Sequence, residues 1–406
     1  MTSADPEQAE YEYLQTPHAI RERCELVFER ARAGALEHFR VHEDRLKEVV
    51  ARVLAVTRTT YPDLSRIPYH GRYRHFDVGG VARLAAFDAK LGKLTVAEQL
   101  AARAELVISS VLLDAGAGSA WRYRAADGGS YTRSEGLAVA SYELYTSGGL
   151  GGSADAPRAD PPGLSQVSPN SLAAAFQVGT HNPLTGLEGR AALLQRLGRV
   201  LQGSPEYFEL GGQLRLGNLA LYLLAQANAG KLPARAILEA VLVALGPIWQ
   251  GRPMLAQRSL GDVWRHSRMG FVPFHKLSQW LSYSLFEPLA AAGVEICDQN
   301  ELTGLAEYRN GGLFLDSGVL SLNDPEAAAR RHAVDSDLVI EWRALTIALL
   351  DRTASALRDE LGMSAEQLPL ARILEGGTWR AGRVIALERR ADGAPPLLID
   401  SDGTVF

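Results

Sequence analysis

"VARLAAFDAKLGKLTVAEQLAARAELVISSVLLDAGAG", residues 81–118, is the stretch whose reading decides the fold class. Its apolar residues recur at helical spacing, and Thr95 with Glu98 makes a capping-box pattern just ahead of an apolar run, so the stretch is predicted as helix. The run breaks at Asp114, and 114–118 reads as a loop that reaches Trp121 through small residues. Asp114 is either a hydrogen-bond acceptor at a helix end or an acid on a pocket floor. The small residues after it leave space that bulky ones would fill, which favours the pocket.

Working outward, the same periodicity extends over most of the chain. Residues 19–56 read as helix, and "YPDLSRIPYHGRYRHFDVGG" interrupts them with prolines and glycines. After the loop, "SAWRYRAADGGSYTRSEG" alternates aromatic and cationic residues around Asp127-Gly128, a hairpin signal. The Gly/Ser/Pro/Asp-rich segment 146–171 is a domain linker or a long surface loop. Helical spacing resumes from Leu172 in "GRAALLQRLGRVL", "LRLGNLALYLLAQANAG", "LPARAILEAVLVAL", "FHKLSQWLSYSLFEPLAAAGV" and "LVIEWRALTIALLDRTASALRDEL". The prediction is a mainly α protein with a small β excursion near residues 121–135 and short strands at 313–322. Residues 1–18 are expected as an N-terminal tail. Residues 19–406 form one large helical region, expected as two lobes (about 19–165 and 166–406) with a cleft between them.

Composition narrows the function classes. With 47% apolar and 22% charged residues the chain lies in the globular range. A net charge of −5, from 42 basic and 47 acidic residues, argues against wrapping a polyanion, so no nucleic-acid partner is expected. Cys24 and Cys297 make neither a disulfide framework nor a zinc cluster, which fits a reducing cytoplasm. The acidic N-terminus lacks a basic-then-apolar leader, and no apolar run is long enough to span a bilayer. A soluble cytoplasmic protein without a membrane partner is the expectation.

Several motifs carry candidate chemistry. "HFRVH" sets His38 and His42 four apart on a predicted helix, but no third ligand completes a metal site, and a surface helix with two histidines is the simpler reading. No metal is expected. "YHGRYRHF" gathers His70, Arg72, Arg74 and His75 among aromatics; it is a phosphate-recognising cluster or a solvated basic loop. "YTRSEGLAVAS" puts Arg133 and Glu135 just before a helix, with Ser134 as a plain cap in the alternative. "AQRSLGDVW" and "VPFHKLSQWLSYSL" bring Arg258, Asp262, Trp264, His275, Lys276 and Gln279 within about one helical hairpin. On a helix, His275, Gln279 and Tyr283 share a face, as do Lys276 and Trp280: a ligand wall, or a buried polar network. Finally, two acid–aromatic–Arg trios stand some thirty residues apart: Glu307-Tyr308-Arg309 and Glu341-Trp342-Arg343. They are structural ion pairs or the lining of one pocket. A carboxylate beside aromatics at a loop–helix junction suits glycosidic cleavage, whose oxocarbenium-like transition state a negative charge stabilises.

"IPYHGRYRHF", "GLEGR", "VPFHKLSQWLSYSLFEPL", "LTGLAEYRNGGLFLDSGVL", "EWRALTIALLD", "GTWRAGR" and the terminal "SDGTVF" together resemble the uracil catabolism protein 4 family, over residues 20–406. A second resemblance, carried by "LLDAGAGSAW", "YTRSEGLAVAS", "NPLTGLEGRAALLQRLGRVL", "AQRSLGDVW", "LTGLAEYR" and "IEWRALTIALL", is to the queuosine salvage N-glycosidases. Those enzymes hydrolyse the N-ribosidic bond of a modified nucleoside 5′-monophosphate, on a helical fold akin to helix-hairpin-helix DNA glycosylases. Their Ala-Asp-Tyr-Arg is here Ala306-Glu307-Tyr308-Arg309, which lengthens the carboxylate's reach by one methylene, while the later Glu-x-Arg is kept as Glu341 and Arg343.

Together the resemblances imply a place in uracil degradation, alongside a uracil phosphoribosyltransferase and a GTP cyclohydrolase II-like ring-opening enzyme. The implied reaction is hydrolysis of ureido-ribose 5-phosphate to urea and ribose 5-phosphate, with no cofactor. Glu307 would stabilise the cation or activate water, with Asp114 as the second carboxylate. Arg133, His275, Lys276 and Arg309 would bind phosphate and ribose hydroxyls, and Trp121 and Trp264 would wall the pocket. The competing expectations are a non-catalytic partner of the cyclohydrolase-like enzyme, a DNA-type glycosylase, and a deaminase or amidohydrolase, the last disfavoured by the lack of a metal constellation.

Overall fold

Residues 81–118 fold around two helices, Arg83–Leu91 and Val96–Leu112, in a computed structural model that describes residues 5–114, 116–118 and 120–400. Thr95 and Glu98 form the reciprocal capping box. Every residue from Leu100 to Leu112 is buried, so this helix lies inside the protein rather than on it. Its one buried acid, Glu105, is fully answered: Arg215 donates through Nε at 2.6 Å and Nη2 at 2.8 Å, with Tyr145 Oη and the Gly217 amide completing the shell.

Two further helices build the centre. Lys276–Ala291 packs on Val96–Leu112, and Asp337–Leu361, buried from Leu338 to Leu350, packs on Pro17–Arg32 and Tyr308–Asp316. Tyr308–Asp316 lies tightly against Trp379–Arg389 because Gly382 lacks a side chain; a Cβ there would stand 2.1 Å from the Arg309 carbonyl oxygen. One hydrophobic core runs through the chain from Ile20 to Leu397.

The fold is mainly α. Among the described residues, strands occur only as two-stranded ladders. Arg122–Arg124 pairs antiparallel with Ser130–Thr132 around the Asp127-Gly128 turn, where Gly128 takes φ +84°, as predicted for 121–135. No helix among the described residues is long and apolar enough to cross a membrane.

Several local expectations are corrected. The predicted 19–56 helix is two, Pro17–Arg32 and Leu46–Thr60. Gly34 at φ +67° breaks the spiral, and strand Phe39–Val41 then pairs with Leu320–Leu322, burying Phe39. His38 and His42 therefore flank a strand instead of sharing a helix face, and His42 bonds Ser321 at 2.9 Å. Of 313–322, residues up to Asp316 are helical and only Leu320–Leu322 is strand. The 146–171 segment contains the helix Pro161–Gln166 and the start of Pro169–Ala175, capped by Asp160 and Ser168, and it buries Leu150, Ala159 and Leu164. The 256–279 region is built on two β-hairpins, Met254–Leu255 with Arg258–Ser259 and Val263–His266 with Gly270–Pro273, rather than a helical hairpin. Within the stretch expected as a tail, Pro6–Leu14 is helix, with Tyr11 and Leu14 packed on Leu260 and Val263. Residues 1–4 and the terminal "SDGTVF" lie outside the described residues.

Candidate active site

A cavity of about 380 Å³ opens where the break after Val96–Leu112 faces the starts of Lys276–Ala291 and Tyr308–Asp316. Glu307 stands at its wall as the N-cap of Tyr308–Asp316. Its extended backbone turns the carboxylate back onto the helix, where Oε2 accepts the Arg309 amide at 2.7 Å and Oε1 the Asn310 amide at 2.6 Å. Burial raises its pKa, against the pull of these two amides and of Lys276. The Lys276 ammonium makes no hydrogen bond among the described residues; burial lowers its pKa while Glu307 and Asp114 oppose the shift. Lys276 and Trp280, one turn apart, both line the cavity, as their shared face predicted.

Asp114 borders the same space. Its Oδ2 accepts Ser134 Oγ at 2.7 Å, and Oδ1 lies 3.2 Å from Arg72 Nη1. Arg72 is wholly buried, tied to Ser110 Oγ at 2.7 Å and to the Ser134 carbonyl at 3.1 Å, with burial depressing its pKa against Asp114. His75 sits between Trp280 and Trp379, ring centroids 6.0 and 6.3 Å away. Burial, with the nearby Arg72 charge, holds its pKa down to about 4, so it is neutral at physiological pH. His70 also lines the cavity, and its Nδ1 lies 2.8 Å from Glu375 Oε2. Glu375 belongs to a π-helical turn, Leu374–Thr378, a distortion that recurs at functional sites.

Arginines and the chain at 392–395 form another wall. Arg309 Nη1 donates to the Gly393 carbonyl at 2.7 Å and its guanidinium lies 4.9 Å over the Tyr308 ring. Arg133, exposed and in a left-handed conformation (φ +54°), donates through Nη2 to the Asp392 carbonyl at 3.0 Å.

Of the residues assigned to catalysis or substrate binding from the sequence, Asp114, Arg133, Lys276, Glu307, Tyr308 and Arg309 meet at this cavity. The rest stand elsewhere, each for a visible reason. Trp121 is fully buried and its indole donates to the Phe176 carbonyl. Trp264 donates to Asp262. Glu135 pairs with Arg383 at 2.8 Å, and Arg258 lies exposed over the Tyr11 ring at 4.1 Å. His275 takes φ +46° at the cap of its helix and bonds the Leu14 carbonyl, while Gln279 is paired with Thr303. Glu341 accepts the His38 amide at 3.1 Å and lies 3.4 Å from His266. A pocket of about 30 Å³ behind Lys276, bordered by Asp262 and His275, has room for about one water.

The two trios prove to be connected but unequal. Arg343 grips Asp262 with two bonds of 2.7 Å and reaches the Ala306 carbonyl with Nε at 3.3 Å, while Asp262 accepts the Lys276 amide at 2.9 Å. Burial alone would raise the Asp262 pKa, but Arg343 and the Lys276 and Trp264 donors outweigh it and hold the carboxyl well below its usual range. The second trio is thus a strut behind the first, fixing the backbones that present Lys276 and Glu307. His70, His75, Ser134, Trp280, Trp379 and Glu375 complete the site without having been assigned from the sequence. "YHGRYRHF" signalled the two histidines, and the spacing from Lys276 signalled Trp280; nothing local marked Glu375.

A family model described as "Protein of unknown function (DUF1688)" matches residues 13–406. Protein urg3 of Schizosaccharomyces pombe is 39% identical over 397 residues, covering 95% of this chain and 96% of its own. The chain belongs to the DUF1688 family. Uracil catabolism protein 4 of Lachancea kluyveri is 35% identical to this DUF1688 protein over 440 residues, covering 97% of this chain and 98% of its own. The resemblance to the uracil catabolism protein 4 family read from the sequence is therefore a true family relationship.

Proposed function

We propose that this DUF1688 protein acts in uracil catabolism, as the name of its Lachancea kluyveri relative suggests, and that it is an N-ribosyl hydrolase cleaving ureido-ribose 5-phosphate to urea and ribose 5-phosphate. The observation that carries the reading is the meeting of two carboxylates from separate parts of the chain, Glu307 and Asp114, in one cavity with the Lys276 ammonium, which makes no hydrogen bond among the described residues. In this reaction one water adds across the C1′–N bond: C1′ takes the hydroxyl and the departing nitrogen takes a proton. Positive charge develops at C1′ as the bond stretches, and a carboxylate already fixed against it stabilises it better than bulk solvent, which must reorient, does.

Glu307 is suited to lie against C1′ or to take the proton of the attacking water, because its two amide bonds fix the carboxylate while leaving lone pairs free. Asp114 supplies the second negative charge, held by Ser134 and Arg72. Arg133, Arg309 and Lys276 are donors for the 5′-phosphate and ribose hydroxyls, and Trp280 and Trp379 give apolar walls. The substrate would come from a ring-opening hydrolysis of a uracil ribonucleotide, a step that the family resemblance implies for a cyclohydrolase-like enzyme.

The test is incubation of pure protein with ureido-ribose 5-phosphate and assay of urea. Wild type should release urea, and Glu307→Gln should lower kcat by about 10²–10³-fold, the usual scale for a lost acid–base or charge-stabilising group. A competing reading as a binding partner rests on Glu307 also being a helix cap, a role that needs no catalysis. It gains if properly folded wild type binds the compound and releases no urea.

A further inference from the structure

The hydrolase reading gives charge to C1′ but leaves one demand unmet. A ureido nitrogen is a poor leaving group as an anion and must be protonated as it departs. Asp114 is engaged by Arg72 and Ser134, and Lys276 lies in the field of two carboxylates. His75 is held neutral by its surroundings. Of the other titratable side chains on the cavity wall, which include Tyr308 and Asp392, His70 is the imidazole that a carboxylate orients.

Its geometry is that of an oriented imidazole. His70 is 4% exposed, and its own amide donates to the Ala371 carbonyl at 2.9 Å, so the ring has little freedom. The Nδ1–Glu375 distance of 2.8 Å is a good hydrogen bond, and Trp379 flanks the ring at 5.8 Å. Burial would raise the pKa of Glu375, yet its bond to His70 and the electrostatic pull of His70, His75 and Arg380 together outweigh this and hold it below the usual carboxylate range. An ionised carboxylate can only accept, so Nδ1 carries the hydrogen and Nε2 is the atom left for chemistry. That Nε2 makes no hydrogen bond among the described residues, though it is not sealed from solvent-sized space, and the ring lines the cavity shared with Glu307. A carboxylate fixing one imidazole nitrogen while the other faces the reactants is the arrangement of a positioned acid–base group.

We propose that His70, oriented by Glu375, is the general acid of this cavity and that its Nε2 protonates the departing ureido nitrogen. The inference rests on the hydrolase reading. His70 enters the step as the imidazolium, its Nδ1–H held by Glu375 and a second proton, taken up from solvent, on Nε2. As the C1′–N bond breaks, its electron pair passes to nitrogen, which takes that Nε2 proton and leaves as urea, returning His70 to the neutral Nδ1–H form. Water oxygen bonds to C1′ and gives its proton to Glu307, and exchange with solvent then restores His70 and Glu307 to their starting states. Glu375 touches no reactant and is a positioning residue.

The experiment compares two substrates on the full-length protein: ureido-ribose 5-phosphate, whose leaving group needs a proton, and 4-nitrophenyl riboside 5-phosphate, whose phenolate does not. His70→Asn keeps a donor toward Glu375 but deletes Nε2, and His70→Gln and Glu375→Gln are made in parallel as differently shaped controls of folding. His70→Asn is expected to lose about 10²–10³-fold in kcat on the ureido substrate and less than about tenfold on the nitrophenyl one. Glu375→Gln should show the same contrast, weaker. Equal losses on both substrates in the folded variants, or no loss on either, would overturn the role of His70 while leaving the hydrolase intact. Wild type inactive on both substrates would instead remove the hydrolase reading, and this proposal with it.

Discussion

His75 shows how a single side chain can report the state of the cavity. The folded protein holds it neutral down to about pH 4, through burial and the adjacent Arg72 charge, whereas an unfolded histidine titrates near 6.5. Between these values the unfolded chain binds a proton that the native protein does not, so stability must fall as pH drops from about 6.5 towards 4. Replacing His75 with Gln removes that linkage. Melting curves at pH 7 and pH 4.5 should therefore show a smaller acid-induced drop for His75→Gln than for wild type. An identical drop in the two proteins would mean that His75 is not desolvated in this way. His275, also depressed by burial and bonded to the Leu14 carbonyl, adds to the wild-type slope in both proteins and cancels in the comparison.

Among elements, the decisive relation is between the hairpin that ends at Pro273, the helix Lys276–Ala291 and the helix Asp337–Leu361. Asp262 and Arg343 join them through two bonds of 2.7 Å, and through the Lys276 amide and the Ala306 carbonyl they set the two backbones that present Lys276 and Glu307 to the cavity. Removing one member of a buried pair leaves the other charge uncompensated, at a cost of about 3–5 kcal/mol. Asp262→Asn should thus lower the denaturation free energy by an amount in that range, read from equilibrium urea curves. A change under about 1 kcal/mol would show that the pair is not the strut described here. Much of the element pattern was legible beforehand: Thr95 and Glu98 capped the helix they announced, and Asp127-Gly128 made the hairpin. The breaks at 33–38 and the helices inside 146–171 were not. Those outcomes depend on partners distant in sequence, Leu320–Leu322 for the former and a core that accepts Leu150 and Leu164 for the latter.

At the scale of the molecule, one cavity collects side chains from residues 70 to 395, so a ligand bound there would be coupled to global stability. A ligand held only by the native state adds stability according to its concentration over Kd, about 2.7 kcal/mol at a hundredfold excess. Ribose 5-phosphate is expected to raise the melting temperature in a dose-dependent, salt-sensitive manner, and free ribose to do so much less. Arg133→Ala should weaken the shift, since Arg133 has spare donors at the exposed wall. Equal shifts with ribose and its phosphate would exclude a phosphate subsite here.

By itself the sequence determined the helical character, the hairpin, the family and six of the residues that border the cavity, because these depend on local periodicity, capping and motifs. Only the tertiary structure decided which acid–aromatic–Arg trio faces the cavity and which braces it. Glu307 and Glu341 have nearly the same neighbours along the chain, yet one caps a helix at an open wall and the other is enclosed by the His38 amide and His266. The same holds for the tryptophans: Trp280 and Trp379 wall the cavity while Trp121 and Trp264 are spent on internal hydrogen bonds. Exposure to a cavity is set by what packs around a side chain, and those neighbours lie as far as 305 residues away in the chain, beyond the reach of any local pattern.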